Sequence, residues 1–148
     1  MSIEVKILEG SDKPAMRGLI QAILDEQGLQ PQFYWPPEML NPEILSCESV
    51  GTYIQGALTA LILYRKLPHA WEISLVASHP RFRRKGHLQV LLNHLIAAKG
   101  QGIELWLEVH EENLAAQKLY EKLGFREAGR RAKYYKDLGT AILYTYSG

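Results

Sequence analysis

The string Ser78, His79, Pro80, Arg81, Phe82, Arg83, Arg84, Lys85, Gly86, His87, Leu88 stands between a strand-like run and a strongly apolar helix stripe. Clustered cations and a glycine at the start of a helix are suited to an anion. The first N–H groups of a helix lack intrahelical acceptors and lie at the positive end of its dipole, and Arg and Lys add charge. A pyrophosphate would be held there; a solvated basic loop is the other reading of the string taken alone. Further along, Glu108 interrupts the apolar run Leu105, Trp106, Leu107, Val109. A carboxylate in that position either serves as a general base on an ammonium, directly or through water, or is an exposed strand position. His110, on the same side of the strand, is the substitute base. Tyr120 shares a helical stripe with Ala116, Leu119 and Leu123, which by spacing alone makes it a core aromatic whose hydroxyl needs a partner.

The other polar candidates carry less. His69, His79, His87 and His94 lack the spacing of a zinc site and are expected at surface or loop positions, so no metal is expected. Cys47 is the only cysteine, which rules out an internal disulfide and a cysteine-built metal site. It has no basic neighbour in sequence and reads as a small buried residue.

The elements that must position these residues follow from periodicity. Ile3, Val5 and Ile7 alternate with charged residues and predict a first strand, ended by Gly10, Ser11 and Asp12. Met16, Leu19, Ile20, Ile23 and Leu24 recur at helical spacing over residues 14–27, with Asp12 or Ser11 as cap and Gly28 as stop. Pro31, Pro36, Pro37 and Pro42 forbid one long helix, leaving a loop with Phe33, Tyr34 and Trp35 and a short helix over 38–45. Residues 49–55 and 57–64 predict a hairpin turning at Gly56, and 71–77 a further strand. Leu88, Leu91, Leu92, Leu95 and Ile96 mark a buried helix face, 103–110 a strand, and Asn113 opens a helix that Gly124 ends. A loop at 130–139 and a last strand at 140–146 complete the chain. This order fits a mixed sheet with helices on its faces, an α/β layer architecture in one domain over residues 1–148.

Composition narrows the function classes. The 148 residues are 47% hydrophobic and 22% charged, an ordinary globular balance. Lys and Arg number 17 against 16 Asp and Glu, so no bulk attraction to nucleic acid or anionic membrane follows and any charge-based function is local. No apolar run reaches the ~20 residues that span a bilayer, and the first ten residues lack a signal-peptide layout. A cytoplasmic protein is expected, with neither nucleic acid nor membrane as partner.

The basic string resembles the coenzyme A motif of the GNAT superfamily of N-acetyltransferases: a strand, a Pro, an aromatic, then Arg/Gln-x-x-Gly-x-Gly/Ala, here Arg83 to Leu88, with Leu88 where Gly or Ala usually stands. Asn113, Ala116, Leu119, Tyr120, Glu121, Leu123, Gly124 and Phe125 form a second motif, N-x-x-A-x-x-L-Y-E-x-L-G-F, of the same family. With the strand holding Glu108, residues 71 to about 146 are similar to the ribosomal-protein alanine N-acetyltransferase branch. Tyr134 and Tyr135 are similar to a paired tyrosine of that branch, whereas the acidic pair often found before the last strand is replaced around Gly139, Thr140 and Ala141.

The resemblance implies the GNAT fold, a mixed, mostly antiparallel sheet with splayed central strands and helices on both faces. It implies acetyl-CoA as cosubstrate: Val76, Ala77 and Ser78 bonding the pantetheine arm, Arg83, Arg84, Lys85, Gly86, His87, Leu88 and Gln89 holding pyrophosphate, and Asn113 touching the cofactor. Tyr120 would then return a proton to the departing thiolate and Glu108 would act as base in direct transfer to a primary amine. At pH ~7.4 deprotonating an α-amine costs about 0.5 kcal/mol and a lysine amine about 4, so a modest base suits a protein N-terminus best. A small-molecule amine acetyltransferase, favoured by the missing acidic pair, and a non-catalytic acetyl-CoA-binding module stay open beside it. The chain is expected to be a monomer or a homodimer.

Overall fold

A computed structural model of the chain describes residues 2–27, 46–132 and 139–148. The loop at 33–35, the short helix over 38–45, and Tyr134 with Tyr135 lie outside these residues. Seven strands form one sheet: β1 (Glu4–Ile7), β2 (Glu48–Ile54), β3 (Ala57–Lys66), β4 (Ala70–Ser78), β5 (Glu104–His110), β6 (Arg126–Arg131) and β7 (Ala141–Tyr146). Their spatial order is β1-β2-β3-β4-β5-β7-β6. Neighbours are antiparallel except β4 and β5, which run parallel. Among the described residues lie the helices α1 (Lys13–Gln27), α2 (His87–Ala98) and α3 (Leu114–Leu123), besides short 3-10 turns at Gly10–Asp12 and Pro80–Phe82. None is long and apolar enough to cross a membrane.

Each face of the sheet carries its own core. Met16, Leu19, Ile20 and Ile23 of α1 pack on Leu58, Leu61, Leu63, Leu75 and Ala77. Leu91, Leu92 and Leu95 of α2, all fully buried, pack with Tyr120 on Ile62, Ile73, Leu105, Leu107 and Val109. Truncating one of these leucines to Ala would cost about 2–5 kcal/mol. The mixed sheet with helices on both faces is the architecture expected from the sequence, and the strand bounds differ from expectation mainly at their ends.

Several local devices hold the elements in place. Gln55 and Gly56, at φ 49° and 81°, make the two-residue left-handed turn of the β2–β3 hairpin. Ahead of α1, Asp12 is buried and accepts from Glu9 N–H at 2.8 Å, Tyr53 Oη at 2.8 Å and Lys6 Nζ at 3.1 Å. Its capping therefore reaches back into a 3-10 turn at Gly10–Asp12 and across to β2.

One expected loop is partly strand. Residues Arg126–Arg131 pair with β7 as the sheet's edge, from Arg126↔Thr145 to Arg131↔Ala141. No residue of β6 is buried, so the alternation that betrays a half-buried strand is absent.

Candidate functional site

Strands β4 and β5 pair only from Ala70↔Glu104 to Glu72↔Trp106. Just beyond, β4 carries a bulge: Leu63 pairs Leu75 and Tyr64 pairs Ile73, which leaves Ser74 as an extra residue. Bulges bend the strand that holds them. Past the bulge, β4 keeps β3 on one side, through Ile62↔Val76, Leu61↔Ala77 and Ala60↔Ser78, and turns its other edge toward a gap. This is the splay the sequence reading anticipates. The unpaired backbone at Val76, Ala77 and Ser78 can bond an amide-bearing arm as a further strand would.

The gap opens into a cleft of about 510 Å³ that Val76, Ala77 and Ser78 line with the basic loop and α3. Arg83, Arg84, Gly86, His87, Leu88 and Gln89 face it; Lys85 does not, and its ammonium sits 5.6 Å from the Phe82 ring centroid instead. Gly86 caps α2 at φ 83°, and Arg84 stands at φ 62°. A Cβ at Gly86 would meet nothing within 4 Å, so the backbone conformation, and not crowding, calls for glycine. The first helical bond runs from Val90 N–H to Gly86 O, which leaves the earlier amides of α2 without helical acceptors. No carboxylate lines the cleft among the described residues. Two arginines, helix amides and an open strand edge therefore suit a ligand with a diphosphate and a peptide-like arm.

Leu88 is partly buried against the α2-side core and also borders the cleft. His87 departs from expectation. It is buried, not at a surface, with Nδ1 2.6 Å from Thr59 Oγ1. Thr59 also bonds Thr52 Oγ1 at 2.8 Å and the Thr52 carbonyl at 3.2 Å. Burial pushes the imidazole's basicity down, and neighbouring Lys85 adds to that. The reason for its burial is positional, since the first helical residue after Gly86 is directed into the sheet.

Asn113 caps α3 by accepting from Ala116 N–H at 3.2 Å, and it borders the same cleft. Tyr120 is 4% exposed, lines the cleft, and packs its ring 5.8 Å from Phe125 and 6.1 Å from Tyr144. It is thus a core aromatic and a cleft residue at once.

Glu108 belongs to the opposite face of the sheet. Leu107 and Val109 pair with Tyr144 and Ile142 of the α2-side core, whereas Glu108 pairs with Leu143. Its carboxylate, 26% exposed, lies 3.6 Å from Arg131 Nη1. His110 is buried, and its Nδ1 accepts from Glu112 N–H at 3.0 Å. That bond fixes the remaining proton of a neutral ring on Nε2. Arg131 carries no signal of its own in the sequence, because its partner lies two strands away.

Comparison with known proteins agrees with this arrangement. Residues 20–125 match the model of the acetyltransferase (GNAT) family. The N-alpha-acetyltransferase RimI of Mycobacterium tuberculosis is 32% identical over 117 residues, 75% of this chain and 73% of that protein. The [ribosomal protein bS18]-alanine N-acetyltransferase of Salmonella typhimurium is 48% identical over 62 residues, 40% of this chain and 42% of that enzyme. The crystal structure of the ribosomal-protein-S18-alanine N-acetyltransferase of Escherichia coli superposes with a TM-score of 0.82 at 28% identity, covering 97% of this chain and 92% of that one.

Proposed function

The chain belongs to the GNAT acetyltransferase family and is an acetyl-CoA-dependent N-acetyltransferase; from that premise we propose that its acceptor is the α-amine of a protein or peptide N-terminus. The observation that supports direct transfer to that amine is the β4–β5 gap, with Tyr120 on one face of the sheet and Glu108 on the other. Donor and acceptor can then approach each other through the sheet from opposite sides. The Mycobacterium relative, an N-alpha-acetyltransferase, and the Salmonella relative, a ribosomal-protein alanine N-acetyltransferase, favour an α-amine.

On this reading residues 1–148 act as one catalytic domain. Acetyl-CoA supplies the activated acetyl thioester. Val76, Ala77 and Ser78 bond the pantetheine amides, while Arg83, Arg84 and the amides of Gly86, His87, Leu88 and Gln89 hold the diphosphate, with Lys85 contributing at longer range. Asn113 adds a contact beside its capping role. Glu108 takes a proton from the acceptor, Tyr120 delivers one to the departing thiolate sulfur, and the acetyl group passes directly to nitrogen. Holding both reactants together supplies most of the acceleration, with each proton transfer adding ~10²–10⁴-fold.

Thiol release measured with three acceptors tests it: a peptide with a free N-terminus and no lysine, an N-blocked peptide with one lysine, and a small primary amine. The free N-terminus should turn over fastest. Turnover confined to the small amine would replace the reading with a small-molecule acetyltransferase, and tight acetyl-CoA binding without turnover of any acceptor would leave a binding module.

A further inference from the structure

The Glu108–Arg131 pair joins β5 to β6 across the intervening strand β7. Opposite Arg131 in the ladder is Ala141, whose methyl group leaves the guanidinium room to cross. The side chains are 61% and 26% exposed. An ion pair so open to water adds little to folding stability. Its position matters more. If Glu108 is the base, as proposed above, an incoming ammonium must share its carboxylate with a resident cation.

Among the described residues, the other charges on this face are engaged elsewhere. Glu104 and His110 share the face of Glu108 along β5, with Glu104 accepting from Trp106 Nε1 and Ser147 Oγ. Glu72, set against Trp106 across the β4–β5 pairing, pairs with Arg65 at 3.8 Å. Strand β7 contributes only Ala141, Leu143 and Thr145. Among the described residues Arg131 is the cation recorded at Glu108.

We propose that Arg131 is a specificity-determining residue that disfavours cationic acceptors at Glu108 and so directs transfer to α-amines over lysine ε-amines. A guanidinium beside the carboxylate reduces its attraction for a protonated amine but leaves a neutral amine unaffected. At pH ~7.4 about 30% of an α-amine is neutral, against about one in a thousand of a lysine amine. The penalty therefore falls on lysine.

The test compares kcat/KM for a lysine-free peptide with a free N-terminus and for an N-blocked peptide with one lysine, in wild type, Arg131→Gln, Arg131→Lys and Glu108→Gln. In Arg131→Gln the ratio of the two should fall about three- to fivefold, the scale of an ion pair at this exposure. The change should appear as a lower KM for the lysine peptide, and Arg131→Lys, which keeps the cation, should restore most of the ratio. Where wild type leaves the lysine peptide untouched, its acetylation by Arg131→Gln is the same result. An unchanged ratio in Arg131→Gln, with acetyl-CoA affinity intact by calorimetry and Glu108→Gln inactive, overturns the role of Arg131 alone. Glu108→Gln at the wild-type rate overturns the base assignment and this role with it, as does a wild type that acts on neither peptide.

Discussion

The Nδ1 atom of His87 lies 2.6 Å from the hydroxyl oxygen of Thr59, a buried bond that ties the first turn of α2 to strand β3. Because burial first, and Lys85 second, depress the basicity of His87, the folded chain binds its proton less readily than the unfolded chain does. The stability this provides is full above the ordinary histidine pKa of ~6.5 and is lost as pH falls below it. Melting temperatures of wild type and His87→Gln, measured from about pH 7.5 to 5.5, should converge or cross toward the acid end, since glutamine keeps a hydrogen-bonding group that does not titrate. Parallel curves would mean that His87 takes up its proton equally in the folded and unfolded states.

Arg84 and Lys85 are neighbours in sequence, yet only Arg84 faces the cleft. Arg84→Ala should weaken acetyl-CoA binding several-fold and flatten its salt dependence, while Lys85→Ala should have a smaller effect. Alanine at φ 62° is no more strained than arginine, so the comparison reports charge and contact. Isothermal titration at two ionic strengths decides it; equal losses would place the pyrophosphate outside the described cleft.

Tyr120→Phe keeps the ring packing against Phe125 and Tyr144 and removes only the hydroxyl. Turnover should drop roughly 10²-fold or more with acetyl-CoA affinity retained. Wild-type turnover in the variant would return Tyr120 to a purely structural role and leave the thiolate to be protonated by water.

Glu108→Gln preserves shape and removes basicity. Near neutral pH most activity should be lost, with part recovered at higher pH, where the acceptor is already neutral, and with cofactor binding unaltered. A rate and pH profile equal to wild type would turn attention to His110, whose Nε2 is the ring nitrogen not engaged by Glu112 N–H.

The parts legible in the sequence are those in which one segment carries its own signal. The stripe Leu91, Leu92, Leu95 announces a buried helix, and Asn113 and Gly124 sit at the cap positions their types suggest, Gly124 at φ 104°. The cleft residues of the basic loop fall within one short stretch broken only at Lys85, so one motif holds them together. Strand β6 was illegible because an exposed edge strand need not alternate. The burial of His87 depends on Thr52 and Thr59, distant in sequence. The partner of Glu108 depends on a strand order in which β7 inserts between β5 and β6.

Ser74 acts as a phase shift. Ile73 and Leu75 are two apart and would ordinarily share a face, yet Ile73 packs with α2 and Leu75 with α1. Deleting this one residue would restore unbroken alternation from Ala70 onward and keep the side chains after it on their present layers, since Leu75 would follow Ile73 directly and face away from it. The same deletion would let β4 run on beside β5 and narrow the gap. The extra residue thus bends the strand and opens the sheet without deciding which core its neighbours serve, so regularising the strand would cost the gap and spare the packing. Deletion of Ser74 should therefore spare the two cores and act on the gap, whereas substitutions at Ser74 that keep the extra residue leave the gap open.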